Sequence, residues 1–188
     1  MMQPPRLAES QTGLINPDLM GRAIAGVLRN AQEGELPLFA WTLGLPQPAL
    51  LAALEHCFPE LVPLEPMATQ QYVIILNTQP AAFGDLVAML CAKRSPHANE
   101  QHAEWLARAI AAACFGNDHL WRDMGLPGRD EVSQIMEYYF EPCYRRNMKN
   151  LKWKRFLFAE LGDLQGKHDL RPPGCSKCDH FQVCFATS

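Results

Sequence analysis

Glu100-Gln-His-Ala-Glu-Trp-Leu-Ala-Arg-Ala-Ile-Ala-Ala-Ala-Cys-Phe115 is the stretch that decides the fold. Its apolar residues recur three and four positions apart, which is the periodicity of an amphipathic α-helix. Trp105, Leu106 and Ile110 fall on one face of that helix, together with alanines that leave room for a close neighbour. The stretch therefore predicts a helix packed tightly against other helices.

Helical periodicity recurs on both sides of this stretch. Only Tyr72–Leu76 has the composition of a strand, and because no partner strand is in sight we favour a helix or an extended loop there. The fold class predicted is all-α: a single multi-helix domain over residues 16–188, preceded by a flexible segment at 1–15. Further helices are predicted from Asp18 to Gly34, Pro46 to Phe58, Phe83 to Arg94, His119 to Gly125, Asp130 to Phe140, and Arg145 to Leu161.

Composition narrows the classes of function. The formal net charge is −3, so no overall positive field favours nucleic acid or a membrane surface. No apolar run approaches the roughly 20 residues that a membrane helix needs, and no secretory signal is visible. We therefore expect a cytoplasmic protein, in which cysteines serve as thiols or metal ligands rather than disulfides.

The C-terminal segment carries the clearest chemical motif. Cys175, Cys178 and Cys184 have the spacing C-x2-C-x5-C, and Pro172-Pro-Gly174 precedes them. Thiolates this close together converge on a metal ion or an iron–sulfur cluster, and the long third gap favours a cubane. A zinc site completed by His168 or His180, and unligated cysteines, remain open alternatives. We predict an irregular metal-cluster loop over residues 168–188.

The other four cysteines differ in their surroundings. Cys57, Cys91 and Cys114 lie on apolar faces of predicted helices, which is typical of small buried residues. Cys143 follows Pro142 at a helix break and could reach the cluster if the next helix folds back. That helix begins a run of six positive charges in eleven residues, Arg145 to Arg155, which would favour an anionic cluster or molybdate nearby.

Several segments in this order resemble the NifQ nitrogen-fixation proteins. They are Trp41-Thr-Leu-Gly-Leu45, Trp105-Leu-Ala-Arg108, His119-Leu-Trp-Arg-Asp-Met-Gly-Leu126, Asn147-Met148, Leu151-Lys-Trp-Lys-Arg-Phe156 and Pro173–Phe185. The resemblance implies a molybdenum–iron–sulfur carrier that processes molybdenum and donates it for assembly of the nitrogenase iron–molybdenum cofactor. The implied partners are the NifEN scaffold and the NifH iron protein.

The resemblance also identifies Cys175, Cys178 and Cys184 as counterparts of the family's cluster cysteines. The family motif is usually C-x4-C-x2-C-x5-C, and the first position here is Leu170, which cannot ligate. Three thiolates can hold three irons of a cubane and leave the fourth corner open. We expect molybdenum at that corner, or a fourth ligand from His168, Asp169, Cys143 or a small molecule; weakened cluster binding is the alternative.

Two other functions compete with a non-catalytic cluster carrier. All-helical DNA glycosylases also end in an iron–sulfur loop, but they require a Gly-rich helical hairpin and a basic DNA-binding face, and this acidic chain has neither. A zinc-stabilised interaction module is the second alternative. No P-loop, nucleophile elbow or His-Glu-x-x-His motif indicates another enzyme.

Overall fold

The computed structural model describes residues 15–177 and 180–185. Within them it contains ten α-helices, three short 3-10 helices and no β-strand, which confirms the predicted all-α fold. The expected flexible N-terminal segment falls almost wholly on residues 1–14, outside the described residues. The α-helices are α1 (Asp18–Gln32), α2 (Gln47–Cys57), α3 (Thr69–Leu76), α4 (Ala81–Ala92), α5 (Glu100–Ala113), α6 (Leu120–Asp123), α7 (Arg129–Tyr139), α8 (Glu141–Arg146), α9 (Trp153–Gln165) and α10 (Phe181–Phe185). The 3-10 helices lie at Leu38–Thr42, Pro59–Leu61 and Cys175–Lys177.

Helix α5 is the centre of the core. From Ala103 to Ala113 every residue except Glu104 and Arg108 is buried, so the helix is enclosed on nearly all sides rather than on one face. Helices α1 and α4 make its most extensive contacts, and its alanines allow that close approach. Asn99 begins the helix, because its side chain accepts a hydrogen bond from the His102 backbone N–H.

The ambiguous run Tyr72–Leu76 belongs to helix α3, which settles the choice between strand and helix. Tyr72 is the one residue of this helix that is buried, and its hydroxyl donates a 2.7 Å hydrogen bond to the Leu45 carbonyl. Burial raises the pKa of Tyr72 to about 12. A single buried tyrosine thus anchors the helix, while its β-branched residues remain partly or fully exposed.

The predicted helix from Arg145 to Leu161 is wrong in its first half. Helix α8 ends at Arg146 and α9 begins only at Trp153. The Asn147 side chain bridges the gap: its Nδ2 donates to the Leu151 carbonyl at 2.9 Å, and its Oδ1 accepts from the Leu151 N–H at 2.8 Å. This closed loop competes with helix formation, so the six positive charges do not form one helical face.

No single helix in the described part of the chain is long and apolar enough to cross a membrane. Helices α3 and α4 together meet the criterion of length and composition, but the chain bends by 81° between them.

Helix α1 is held against the turn that follows α6. A Cβ atom at Gly26 would overlap the Met124 carbonyl oxygen, so only glycine permits this approach. The Asn30 side chain adds hydrogen bonds of 2.9 and 3.0 Å to the carbonyls of Arg122 and Asp123. The segment from residue 116 to 125 is therefore fixed on the body of the protein.

Candidate metal centre

A cavity of about 140 Å³ lies where the C-terminal tail meets the turn between α5 and α6. Cys175, in the last 3-10 helix, and Cys184, in α10, both line it and are both half-buried. Cys178 lies outside the described residues. The fold thus brings two of the three predicted cluster cysteines to a single cavity.

The tail reaches this position through glycine. Gly174 is buried, and a Cβ atom there would overlap the carbonyl oxygen of Gly116 and lie 3.0 Å from the Asn117 Cα. The backbone just before Cys175 therefore rests directly on the α5–α6 turn. Within the tail itself, the Arg171 guanidinium lies 5.8 Å from the centre of the Phe181 ring in α10.

A buried ion pair between Lys154 and Asp123 holds the turn between α5 and α6. Lys154 Nζ donates to an Asp123 carboxylate oxygen and, at 3.1 Å, to the Gly116 carbonyl. The same Asp123 oxygen accepts a 3.1 Å hydrogen bond from the Asp118 N–H. Burial raises the pKa of Asp123, and Lys154 and the Asp118 N–H oppose that rise. One charged side chain from α9 thereby fixes the backbone on which the cysteine tail rests.

Two histidines meet at the edge of the cavity. His119, on the N-terminal side of α6, lines the cavity, and its Nε2 lies 3.1 Å from Nδ1 of His180 in the tail. The His119 backbone N–H donates to Asp118 Oδ1 at 2.6 Å. Burial, then the charges of Lys152 and His180, lower the pKa of His119. A lowered pKa favours the neutral imidazole, and which ring donates in the contact between the two histidines depends on their tautomers.

Basic side chains dominate the charged lining. Of the residues that the structure describes, Arg129, Lys152, Lys154 and Arg155 line the cavity together with Asp118, and Lys154 is itself paired with Asp123. Arg129 is held by hydrogen bonds of 2.8 Å to the Asn150 side chain and the Leu151 carbonyl. Lys152, Lys154 and Arg155 come from the basic run between Arg145 and Arg155, and Arg129 comes from α7. Such a lining stabilises a bound anion.

None of the three residues predicted as a possible fourth ligand, Cys143, His168 and Asp169, lines this cavity. Cys143 is fully buried beside Lys93, Glu160 and Arg146, and burial raises its pKa to about 11. His168 is exposed and lines a separate cavity with Asp169. A side chain would have to leave its observed position to reach the cluster cysteines from either place.

Leu170 has a packing role. It is half-buried, packs against the hydrophobic core, and a Cβ atom built on Gly162 of α9 would lie 3.2 Å from its Cβ. Leu170 therefore attaches the tail to α9 through an apolar contact.

The three cysteines predicted to be buried in helices differ in exposure. Cys114, at the end of α5, is fully buried, and burial raises its pKa to about 12. Asp123 and Cys175 lie near enough to raise it further, while Lys154 lowers it. Cys57 and Cys91 are only half-buried, and burial raises the pKa of each. Cys114 thus lies beneath the cavity as a neutral thiol.

Two of the predicted cluster cysteines supply soft sulfur donors at this cavity. Among the described residues, which leave out Cys178, no group of three His, Cys, Asp or Glu side chains could hold a metal ion. Thiols of Cys175 and Cys184 facing a positively charged cavity fit an anionic iron–sulfur cluster on chemical grounds.

Sequence reasoning missed the parts of the site that the α5–α6 turn contributes. His119 and Asp123 both occur in the segment that resembles the family, His119–Leu126, but their spacing indicates no role by itself. Lys154 was one charge in a basic run, and nothing local distinguishes it as the buried member.

Comparison with known proteins identifies the family of this chain. The NifQ family model matches residues 23–186. "Protein NifQ" of Azotobacter vinelandii is 40% identical over 81 residues, covering 43% of this chain and 42% of that protein. "Protein NifQ" of Rhodobacter capsulatus is 31% identical over 84 residues, which cover 45% of this chain and 47% of that protein. "Protein NifQ" of Klebsiella pneumoniae is 33% identical over 87 residues, which cover 46% of this chain and 52% of that protein.

The matched region thus spans about half the length, or less, of these curated relatives. No solved structure matches the chain. Because the family model covers most of the sequence, including the cysteine tail and the α5–α6 turn, the chain belongs to the NifQ family of nitrogen-fixation proteins.

Proposed function

We propose that this protein carries an iron–sulfur cluster containing molybdenum, bound by Cys175, Cys178 and Cys184, and donates molybdenum for assembly of the nitrogenase iron–molybdenum cofactor. The supporting observation is the cavity that Cys175 and Cys184 share with four basic side chains. Soft thiolate ligands select iron and molybdenum–sulfur species, and the positive lining offsets the negative charge that such a cluster carries.

The proposed role is that of a carrier rather than a catalyst. A molybdenum oxyanion such as molybdate is the source, the NifEN scaffold and the NifH iron protein are the partners, and the cytoplasm is the compartment. Cys175 and Cys184 are half-buried rather than enclosed, which suits a cluster that must be released to a partner. A resident cluster meant to stay would gain from deeper burial.

Metal analysis tests this proposal. The full chain is purified without oxygen from cells supplied with iron and molybdate, and its iron, molybdenum, zinc and acid-labile sulfide are measured. We expect iron and sulfide, broad visible absorption, and loss of all three signals in Cys175→Ser, Cys178→Ser and Cys184→Ser. Cys57→Ser and Cys91→Ser are matched controls, because these half-buried cysteines lie outside the cavity.

Two outcomes would contradict the proposal. Protein without iron, before and after anaerobic reconstitution with ferrous iron and sulfide, would exclude an iron–sulfur carrier. Stoichiometric zinc that depends on the same three cysteines would support the zinc-stabilised module instead. Transfer is then tested by mixing loaded protein with NifEN and following molybdenum by size-exclusion chromatography; molybdenum that stays on this chain would contradict the donor role.

A further inference from the structure

The loop between α8 and α9 displays a large apolar side chain in water. Met148 is 90% exposed, whereas the other exposed large apolar side chains of the described structure reach 75% at most. It lies with Lys149 at the tip of a tight turn over residues 147–150, which the Asn150 N–H closes by donating a 3.0 Å hydrogen bond to the Asn147 carbonyl. The unbranched thioether side chain of methionine adapts to many apolar pockets and is common at protein interfaces.

The base of the 147–150 turn is fixed to the body of the protein. The Asn147 side chain makes two hydrogen bonds with the Leu151 backbone. Arg129 of α7 donates at 2.8 Å to the Asn150 side chain and at 2.8 Å to the Leu151 carbonyl. A surface that is ordered in this way before binding loses little conformational entropy when a partner covers it.

Positive charge surrounds the exposed methionine. Residues 145–155 include six Lys or Arg and no Asp or Glu, although the whole chain carries a formal net charge of −3. Arg145 and Arg146 each form an ion pair within the protein, so the charge presented to a partner comes chiefly from exposed Lys149 and half-buried Lys152. A local positive patch on an acidic chain suits an acidic patch on another protein, because an extended polyanion would also meet the opposing net charge.

The 147–150 turn lies beside the cavity of the cysteine tail. Arg129, which holds the turn, lines that cavity, and so does Lys152, two residues beyond the turn. We propose that the 147–150 turn is the docking surface for the protein that receives molybdenum. Met148 enters an apolar pocket on that partner, and Lys149 pairs with acidic side chains at the rim of the pocket. This inference rests on the proposed function for the identity of the partner.

Binding to purified NifEN, the acceptor in the proposed function, tests the docking surface. The full chain is immobilised without oxygen, metal-free and loaded, and association is followed by biolayer interferometry from about 50 to 300 mM NaCl. We expect Met148→Gln, which keeps the length of the side chain and makes it polar, to weaken binding about tenfold or more, and Met148→Leu to keep it. Lys149→Glu should lower the association rate and its dependence on salt.

The chain supplies matched controls for both substitutions. Leu164 is 64% exposed near the other end of α9, so Leu164→Gln should leave binding unchanged. Exposed Arg22 in α1 serves the same purpose for charge, as Arg22→Glu. Circular dichroism verifies the fold of each variant. Loaded Met148→Gln should keep the iron and molybdenum of the wild type but pass less molybdenum to NifEN.

The outcomes separate this inference from the proposed function. Wild-type chain that does not bind NifEN overturns the docking surface, and so does binding that Met148→Gln and Lys149→Glu both leave unchanged. Binding to heparin as tight as that to NifEN, and equal in Met148→Gln, would assign the turn to polyanions and overturn it as well. A chain that docks through Met148 but holds no iron or molybdenum would overturn the proposed function alone.

Discussion

Gly174 lies against the carbonyl group of Gly116, with no room for a Cβ atom between the two backbones. The same Gly116 carbonyl oxygen also accepts a hydrogen bond from Lys154 Nζ. One peptide group thus connects the cysteine tail, the α5–α6 turn and the buried charge of α9. The position of Cys175, the next residue in the chain, depends on this contact.

Gly174→Ala should detach the tail without unfolding the body. The added methyl group overlaps the Gly116 carbonyl, so the backbone before Cys175 must move. We expect faster hydrogen–deuterium exchange in residues 170–185 and reduced iron retention, with a nearly unchanged urea midpoint. Gly84→Ala is the control: its Cβ meets nothing within 4 Å, and it should stabilise α4 by about 0.5–1 kcal/mol. Unchanged exchange in the tail of Gly174→Ala would contradict this view of the contact.

Lys154→Met should strongly destabilise the protein. It leaves the Asp123 carboxylate buried without its partner, and removal of one member of a buried pair costs about 3–5 kcal/mol. The double variant with Asp123→Asn should recover part of this loss, because no charge then remains buried. Urea unfolding of the double-mutant cycle measures the coupling.

The exposed pair of Arg145 and Glu141 is the control for that cycle. Their side chains are 75% and 33% exposed, so Arg145→Ala should cost about 0–1 kcal/mol. If Lys154→Met lowers the free energy of unfolding by no more than Arg145→Ala does, the buried pair contributes little to stability.

Glu160 should make stability depend on acid pH. Burial alone would raise its pKa, but hydrogen bonds from Arg146 and Lys93, at 2.6 and 2.7 Å, outweigh this and lower the pKa below its ordinary 4.5. A lowered folded-state pKa adds stability above the unfolded-state value, which is lost as the pH falls through the folded-state pKa. The wild type should therefore have a higher free energy of unfolding than Glu160→Gln at pH 7, and this difference should shrink below about pH 4.5.

Urea unfolding from pH 7 to pH 3 measures that gap. Exposed Glu137 in α7 supplies the control, since Glu137→Gln should show no comparable change with pH. A gap for Glu160→Gln that stays constant across the range would contradict the assigned ion-pair network.

Thiol labelling should separate the buried cysteines from the site. Iodoacetamide reacts with the thiolate, and burial raises the pKa of Cys114 to about 12 and of Cys143 to about 11. In the native metal-free chain at pH 8, we expect Cys184 to react and Cys114 and Cys143 to react only after unfolding. Peptide mass spectrometry locates the label. Native labelling of Cys143 at the rate of Cys184 would make it a candidate ligand again.

The sequence by itself indicated the all-α fold and most of the helices. Periodicity located α5 and its neighbours within one or two residues, because helix formation depends on residues three and four positions apart. The spacing of Cys175, Cys178 and Cys184 predicts a metal or cluster site, because that spacing is a property of residue type and order.

Tertiary structure alone decided what surrounds those cysteines. Asn147 ended the basic helix early through hydrogen bonds to Leu151, and Lys154 became buried by meeting Asp123, 31 residues away. His119 reached the tail by meeting His180, 61 positions along the chain. Such contacts depend on how packed helices bring distant segments together, and no local pattern of residues encodes that arrangement.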